Sequence, residues 1–164
     1  TITVQFAPRT NEIILLASNQ GNKTYLYLDK SDRDLLISAI TSYLDGFEKR
    51  TLDRDKNMLA VYGKFPAFMK WGVLTLNAEA TATVTTGYEF NKDAPYFTLT
   101  IPETNNDRYR STTRGSTIKR SGYFQIFFTR SQLAEFGEML IQEYLESTLD
   151  EQNVSRASVD PDTY

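Results

Sequence analysis

The chain has 164 residues, 40% of them hydrophobic, 13% aromatic and 24% charged, with a net charge of −3. It contains no Cys and no His, which excludes disulfides, thiolate nucleophiles, Cys/His metal centres and imidazole acid–base catalysis. The length and apolar content suit one domain, or two fused small repeats sharing a core. Only an oxygen-ligand metal site stays chemically open, so no cofactor, no metal and no enzymatic activity are expected.

No apolar run approaches the roughly 18–20 residues of a helical membrane span, and no secretory signal opens the chain. The expectation is a protein with no membrane partner in the cytoplasm, or in the host cytoplasm if the gene is viral. The first residue is Thr1, which points to a removed initiator Met or a trimmed chain.

Residues 2–7 (ITVQFA) alternate apolar with polar, as a half-buried strand does. The stretch from Ala7 to Asn11 contains Pro8 and breaks it. Residues 12–18 (EIILLAS) suit a central strand, and Asn19-Gln20-Gly21-Asn22 is a turn. Residues 23–29 (KTYLYLD) form the next strand, where a period of two puts Lys23, Tyr25 and Tyr27 on one face and Leu26 and Leu28 on the other. Ser31 can then cap a helix, with Asp32 and Asp34 at the positive end of its dipole. Its stripe is Leu36, Ile40, Tyr43/Leu44 and Phe47, with Leu35 and Ala39 beside it. A charged linker follows at 51–57.

Residues 58–63, 67–77 and 78–90 read as strands rich in β-branched and aromatic residues. A turn at 91–95 precedes a strand at 96–101, where Tyr96, Thr98 and Thr100 oppose Phe97, Leu99 and Ile101. Residues 102–116 are a polar, basic loop, and 117–128 return as a strand. There Tyr123, Gln125 and Phe127 alternate with Phe124, Ile126 and Phe128; both sides are apolar enough to suggest an oligomer interface. Thr129 or Ser131 caps a second helix, with Gln132 placed as in a capping box. Its stripe is Leu133, Phe136, Leu140, Ile141, Tyr144 and Leu145. Residues 151–164 have no periodicity and read as a tail.

Residues 27–31 (YLDKS) precede one helix and residues 127–131 (FFTRS) precede the other, and the stripes Leu36/Ile40/Leu44 and Phe136/Leu140/Tyr144 follow each at matching spacing. The expected fold is α+β: curved antiparallel β-sheets with two helices, built as a duplicated strands-then-helix unit. One domain spans 1–147, with halves 1–50 and 57–147, and 148–164 form an acidic C-terminal tail.

Charge is unevenly distributed. Residues 105–122 carry five bases and the single acid Asp107, whereas residues 134–164 carry eight acids and the single base Arg156. In the basic stretch, Arg108, Arg110, Arg114, Lys119 and Arg120 can stack on bases and grip phosphates, with Tyr109 among them. Lys23, Lys70, Tyr25, Tyr27, Tyr96, Tyr123 and Trp71 would complete an aromatic and basic surface, since base–aromatic stacking tolerates any sequence. The candidate function is non-enzymatic binding of single-stranded DNA or RNA, in a phage or plasmid replication or recombination system. The alternative is a protein-interaction or assembly module, such as a viral structural or accessory protein, whose aromatic faces are subunit contacts.

The stretch KRSGYFQIFFTRSQLAEFGEML resembles the final strand and dimerising helix of Whirly proteins, Pur-type repeats and positive cofactor four, and KTYLYLDKSDRDLLISAI resembles a second copy. In those families a curved antiparallel sheet is backed by a helix. The resemblance covers most of 1–147 as architecture and about forty residues as pattern. It implies sheet-face stacking of single-stranded nucleic acid by a homo-oligomer, and assigns no residue by motif. The net charge of −3 departs from the basic surface of those families. The ending VDPDTY is similar to the acidic tails of phage and bacterial single-strand binding proteins, which implies a replication partner docking there.

Overall fold

The computed structural model describes residues 2–19, 21–54, 60–73, 78–110 and 118–157, with side chains described as far as 150 except those of 19, 60 and 61. Seven strands form one antiparallel sheet: β1 (Ile2–Ala7), β2 (Glu12–Asn19), β3 (Asn22–Leu28), β4 (Ala60–Val73), β5 (Ala78–Asn91), β6 (Ala94–Ile101) and β7 (Phe124–Phe128). Their spatial order is their chain order. The helices are α1 (Lys30–Glu48), α2 (Arg130–Met139) and α3 (Gln142–Ala157). The fold is α+β, as the patterning indicates. The strands of both halves join a single sheet, and each half ends in helix.

Period-two alternation decides which side chains meet the helices. The cross-strand pairs Leu15/Leu26, Leu26/Met69, Met69/Ala80, Tyr88/Phe97 and Phe97/Phe128 carry one face across the whole sheet. Leu36, Ile40 and Tyr43 of α1 and Leu133 and Phe136 of α2 are buried against it. Phe136 lies parallel to Phe128 at 5.2 Å, and Tyr43 meets Phe97 edge-on at 5.6 Å. Burying each such side chain contributes about 1.5–3 kcal/mol.

Three local features differ from the patterning. The cap of α1 is Asp29, not Ser31: Asp29 accepts from the Asp32 N–H while the Asp32 carboxylate accepts from the Asp29 N–H. The stretch around Pro66 is one long strand rather than two, with a register shift between Val61 and Gly63. The second helix divides at Leu140–Ile141, so Ile141 and Tyr144 are 41% and 45% exposed while Leu140 and Leu145 stay buried. The backbone of α3 continues to Ala157.

Between β6 and β7 the described residues 102–110 and 118–123 form an irregular paired arm. Asn105 bridges Arg120, the Ser121 N–H donates to the Thr104 carbonyl at 2.9 Å, and the Asn106 N–H donates to the Lys119 carbonyl at 2.9 Å. Of the expected strand at 117–128, Thr117 lies outside the described residues, and of the rest 124–128 belong to the regular ladder.

Candidate functional site

The face turned from the helices carries the aromatic and basic side chains. One cross-strand row runs Gln5, Ile14, Tyr27, Phe68 and Thr81; the next runs Thr3, Leu16, Tyr25, Lys70 and Glu79. Tyr25 and Tyr27 are half-buried and Phe68 is exposed. The rings of Tyr27 and Phe68 lie 5.6 Å apart, and the Lys70 ammonium sits 5.9 Å from the first and 5.4 Å from the second. Such an arrangement holds a cation over π-faces. Burial, with smaller contributions from Tyr25 and Glu12, raises the Tyr27 phenol above its ordinary pKa.

The arm joins this row at β5. Arg108 Nε lies 3.4 Å from Glu79 Oε1. The junction depends on buried Asn106: its Oδ1 accepts from the N–H groups of Glu79 at 3.1 Å and Arg108 at 2.9 Å, and its Nδ2 donates to the Ile118 carbonyl at 2.7 Å. The Asp107 N–H donates to the Glu79 carbonyl at 2.9 Å. Arg108 is thereby held at the end of the row that begins with Tyr25 and Lys70. Arg110 Nη1 donates to the carbonyls of Tyr109 at 2.9 Å and Asp107 at 3.3 Å. Lys119 Nζ lies 5.5 Å from the Tyr109 ring, and Arg120 Nε donates to Asn105 Oδ1 at 3.1 Å.

The candidate residues do not all gather. Lys23, Tyr25, Tyr27 and Lys70 share the outer face and Arg108 adjoins it. Tyr123 is 60% exposed at the base of the arm, its hydroxyl donating to Gln125 Oε1 at 3.1 Å. Tyr96 sits at the other end of β6, edge-on to Phe127 at 6.5 Å; Ile101 lies five positions further on, about 17 Å of strand. Trp71 requires a correction. It pairs with Thr24 and Ala78 on the helix-side face and is 6% exposed, because alternation from Lys70 turns it inward, so it cannot stack on a ligand of the outer face. Arg114 lies outside the described residues.

Sequence reasoning did not single out Phe68 as a surface ring. Two positions from Lys70, it shares the lysine's face by period two, and that was the available signal. The outer face is also not open throughout. Thr98 and Thr100 are buried on it, with hydroxyls that have no hydrogen-bond partner. At the end away from the arm, Glu12, Asp29 and Asp32 surround a groove of about 330 Å3 against Tyr27, Pro66 and Phe68. Burial, the largest cause, raises the Asp32 carboxyl above its ordinary pKa. The face is therefore basic at one end and acidic at the other.

Among the described residues no cluster of three acids could hold a metal ion, and no helix is long and apolar enough to cross a membrane. The outer face offers a surface of rings and cations.

Fold and face together define an antiparallel meander with helices on one side and an aromatic, charged face on the other. The chain belongs to the family described as "Uncharacterised Treponema protein", whose model matches residues 1–147. An uncharacterized protein of Treponema pallidum (strain Nichols) is 40% identical over 108 residues, covering 63% of this chain and 39% of that relative. The chain thus matches about two fifths of the relative's length. No solved structure matches. These findings overturn the resemblance to Whirly proteins, Pur-type repeats and positive cofactor four. Its basis was an alternating strand followed by a capped amphipathic helix, a pattern that any strand–helix junction facing one core produces.

Proposed function

We propose that this chain is a non-enzymatic binding protein that holds single-stranded DNA or RNA across the outer face between β3 and the arm. The observation that carries the reading is the cross-strand row of Tyr25, Lys70 and Glu79 with Arg108 at its end. Bases would stack on Tyr25, Tyr27 and Phe68, each ring worth about 1–3 kcal/mol. Lys23, Lys70, Arg108, Arg110, Lys119 and Arg120 would meet phosphates, releasing counterions. A phosphate would replace Glu79 as the partner of Arg108. This ion pair is 57% and 28% exposed on its two sides, and such pairs contribute little on their own. A cytoplasmic location and a role in replication or recombination belong to this same reading.

The test is fluorescence anisotropy of labelled oligo-dT and of a matched duplex at two salt concentrations. The expected result is preference for the single strand. Arg108→Ala with Arg110→Ala should weaken binding and shallow the salt slope by about 1.4, at roughly 0.7 for each phosphate no longer neutralised. An unchanged slope removes the arm from the site; no binding at low salt removes the ligand.

A second reading, an assembly module of identical subunits, is favoured by exposed apolar side chains. Phe68 is 39% exposed, Phe127 48% and Val73 54%. A concentration-dependent dimer by light scattering that Phe127→Ser abolishes, without oligonucleotide binding, would select it.

A further inference from the structure

On the helix-side face, the cross-strand row Ile2, Ala17, Thr24 and Trp71 lies at the arm end of the sheet. The returning arm folds toward it, with Ile118 and Phe124 packed against the core. The two border a cleft of about 620 Å3 whose wall, among the described residues, contains no helical residue. That size falls within the range of about 300–1,000 Å3 for small-molecule sites.

The lining has a definite chemistry. Among the described residues its charged members are Lys23 and Arg120, and no Asp or Glu lines it, in a chain of net charge −3. Trp71, also in the lining, is 6% exposed, and its indole N–H has no hydrogen-bond partner. Buried donors are nearly always satisfied, so this one marks a place where an acceptor is wanted. Arg120 uses Nε on Asn105 and lies 3.8 Å from Glu103 through Nη1. A guanidinium has five N–H donors, so others remain for a guest.

We propose that this cleft binds an amphipathic organic anion, an aliphatic carboxylate. Its chain lies against Ile2, Val73, Ile118 and Phe124, and its carboxylate meets Lys23 and Arg120. The apolar wall contributes by burial of the chain, and the cations select the sign of the head group. The row Ile2, Ala17, Thr24 and Trp71 of its wall lies on the opposite side of the sheet from Tyr25 and Tyr27; the site shares Lys23 and Arg120 with the proposed phosphate contacts and does not use Arg108 or Arg110.

Trp71 is the single tryptophan of the sequence, so its emission reports on the cleft directly. The full chain is titrated with dodecanoate below its micelle concentration, with dodecyltrimethylammonium and oligo-dT in parallel. The expected result is a saturable change in Trp71 emission with dodecanoate and none with the cation. Lys23→Gln with Arg120→Gln should weaken dodecanoate at least tenfold with an unchanged far-UV spectrum; the two single variants serve if the double variant does not fold. No saturable change, an equal response to the cationic amphiphile, or full affinity in the variants would overturn the proposal. A Trp71 response to oligo-dT alone would overturn it as well, by assigning the cleft to nucleic acid. Loss of oligo-dT binding in the Arg108/Arg110 variant with dodecanoate binding intact separates the two sites.

Discussion

Arg33 donates to Gln142 Oε1 at 2.6 Å, joining α1 to the start of α3 across 109 positions of sequence. The guanidinium is 1% exposed, donates also to the carbonyl of Asn11, and lies 3.4 Å from Asn11 Oδ1. Among the described residues, no carboxylate pairs with it, and its Nε has no partner. Arg33 therefore ties the β1–β2 turn and two helices together through neutral acceptors. Gln142→Ala should cost about 1–3 kcal/mol by leaving a buried donor unpaired. Arg33→Met, apolar and of similar length, should cost less than Arg33→Ala, because both remove the buried charge and its desolvation but only alanine leaves a cavity. Urea unfolding of the three variants checks the order; a neutral Gln142→Ala would show that the bond contributes nothing.

Alkaline pH should unfold the protein through two phenols. Burial, more than neighbouring Tyr96, pushes the Tyr43 pKa up to about 12, and burial raises Tyr62 further. An unfolded tyrosine ionises near pH 10. The folded state thus holds these protons more tightly, so the stability they contribute is full below pH 10 and lost as pH rises toward 12. Tyr43→Phe should flatten the loss across that window, while giving up the 2.9 Å bond from the Tyr43 hydroxyl to the Pro95 carbonyl. Thermal unfolding at pH 8 and pH 11 measures both effects.

The helix caps should be individually replaceable at a modest cost. Asp29 and Thr129 each complete a capping box, with Asp32 and Gln132 respectively. Asp29→Ala and Thr129→Ala should each cost about 1 kcal/mol. Ser31→Ala should be nearly silent, because Ser31 lies inside α1 and does not cap it. Equal losses for Ser31 and Asp29 would contradict the assigned helix start.

Gly137 sits where α2 meets α1. A Cβ added there would lie 3.4 Å from Ile40 Cγ2, an ordinary van der Waals distance. Gly137→Ala should therefore stabilise by up to about 1 kcal/mol from helix propensity, whereas Gly137→Leu should separate the helices and destabilise. Denaturation midpoints with unchanged m-values decide it.

Tyr25→Ala and Tyr27→Ala should each weaken oligo-dT binding by about tenfold, within the 1–3 kcal/mol range of a stacked base. Tyr96→Ala, at the far end of β6, should leave it unchanged. An equal loss at Tyr96 would show that the ligand does not lie along the Tyr25–Arg108 row.

Alternation was legible wherever one face of a strand meets the core and the other does not. In β3, Leu26 and Leu28 are buried while Tyr25 and Tyr27 are half-exposed, as the pattern KTYLYL indicates. Around Pro66 local chemistry misleads. Proline ordinarily ends a central strand, yet Pro66 pairs with Thr83 of β5 while the β3–β4 pairing stops at Tyr27–Phe68. Pro66 thus has one strand neighbour, and its missing N–H interrupts no second ladder. The break between α2 and α3 was hidden because Leu133, Phe136, Leu140 and Leu145 remain buried on either side of it, so the stripe reads as continuous. The union of arm and sheet rests on Asn106, a residue type that ordinarily signals a loop. Which side chains line the 620 Å3 cleft depends on the arm folding toward Trp71, a long-range packing choice with no local signature.

The order of the strands has a consequence for how the molecule assembles itself. Each strand pairs with the one before it in the chain, so β1–β2–β3 and β4–β5–β6 can each zip up hairpin by hairpin, while the β3–β4 and β6–β7 pairings close over α1 and the arm. The entropy of closing each short hairpin loop is met soon after it is incurred, which favours early formation of these two meanders over the longer closures. Shortening the polypeptide from the front strips an outermost strand, β1, and leaves the remaining ladder continuous.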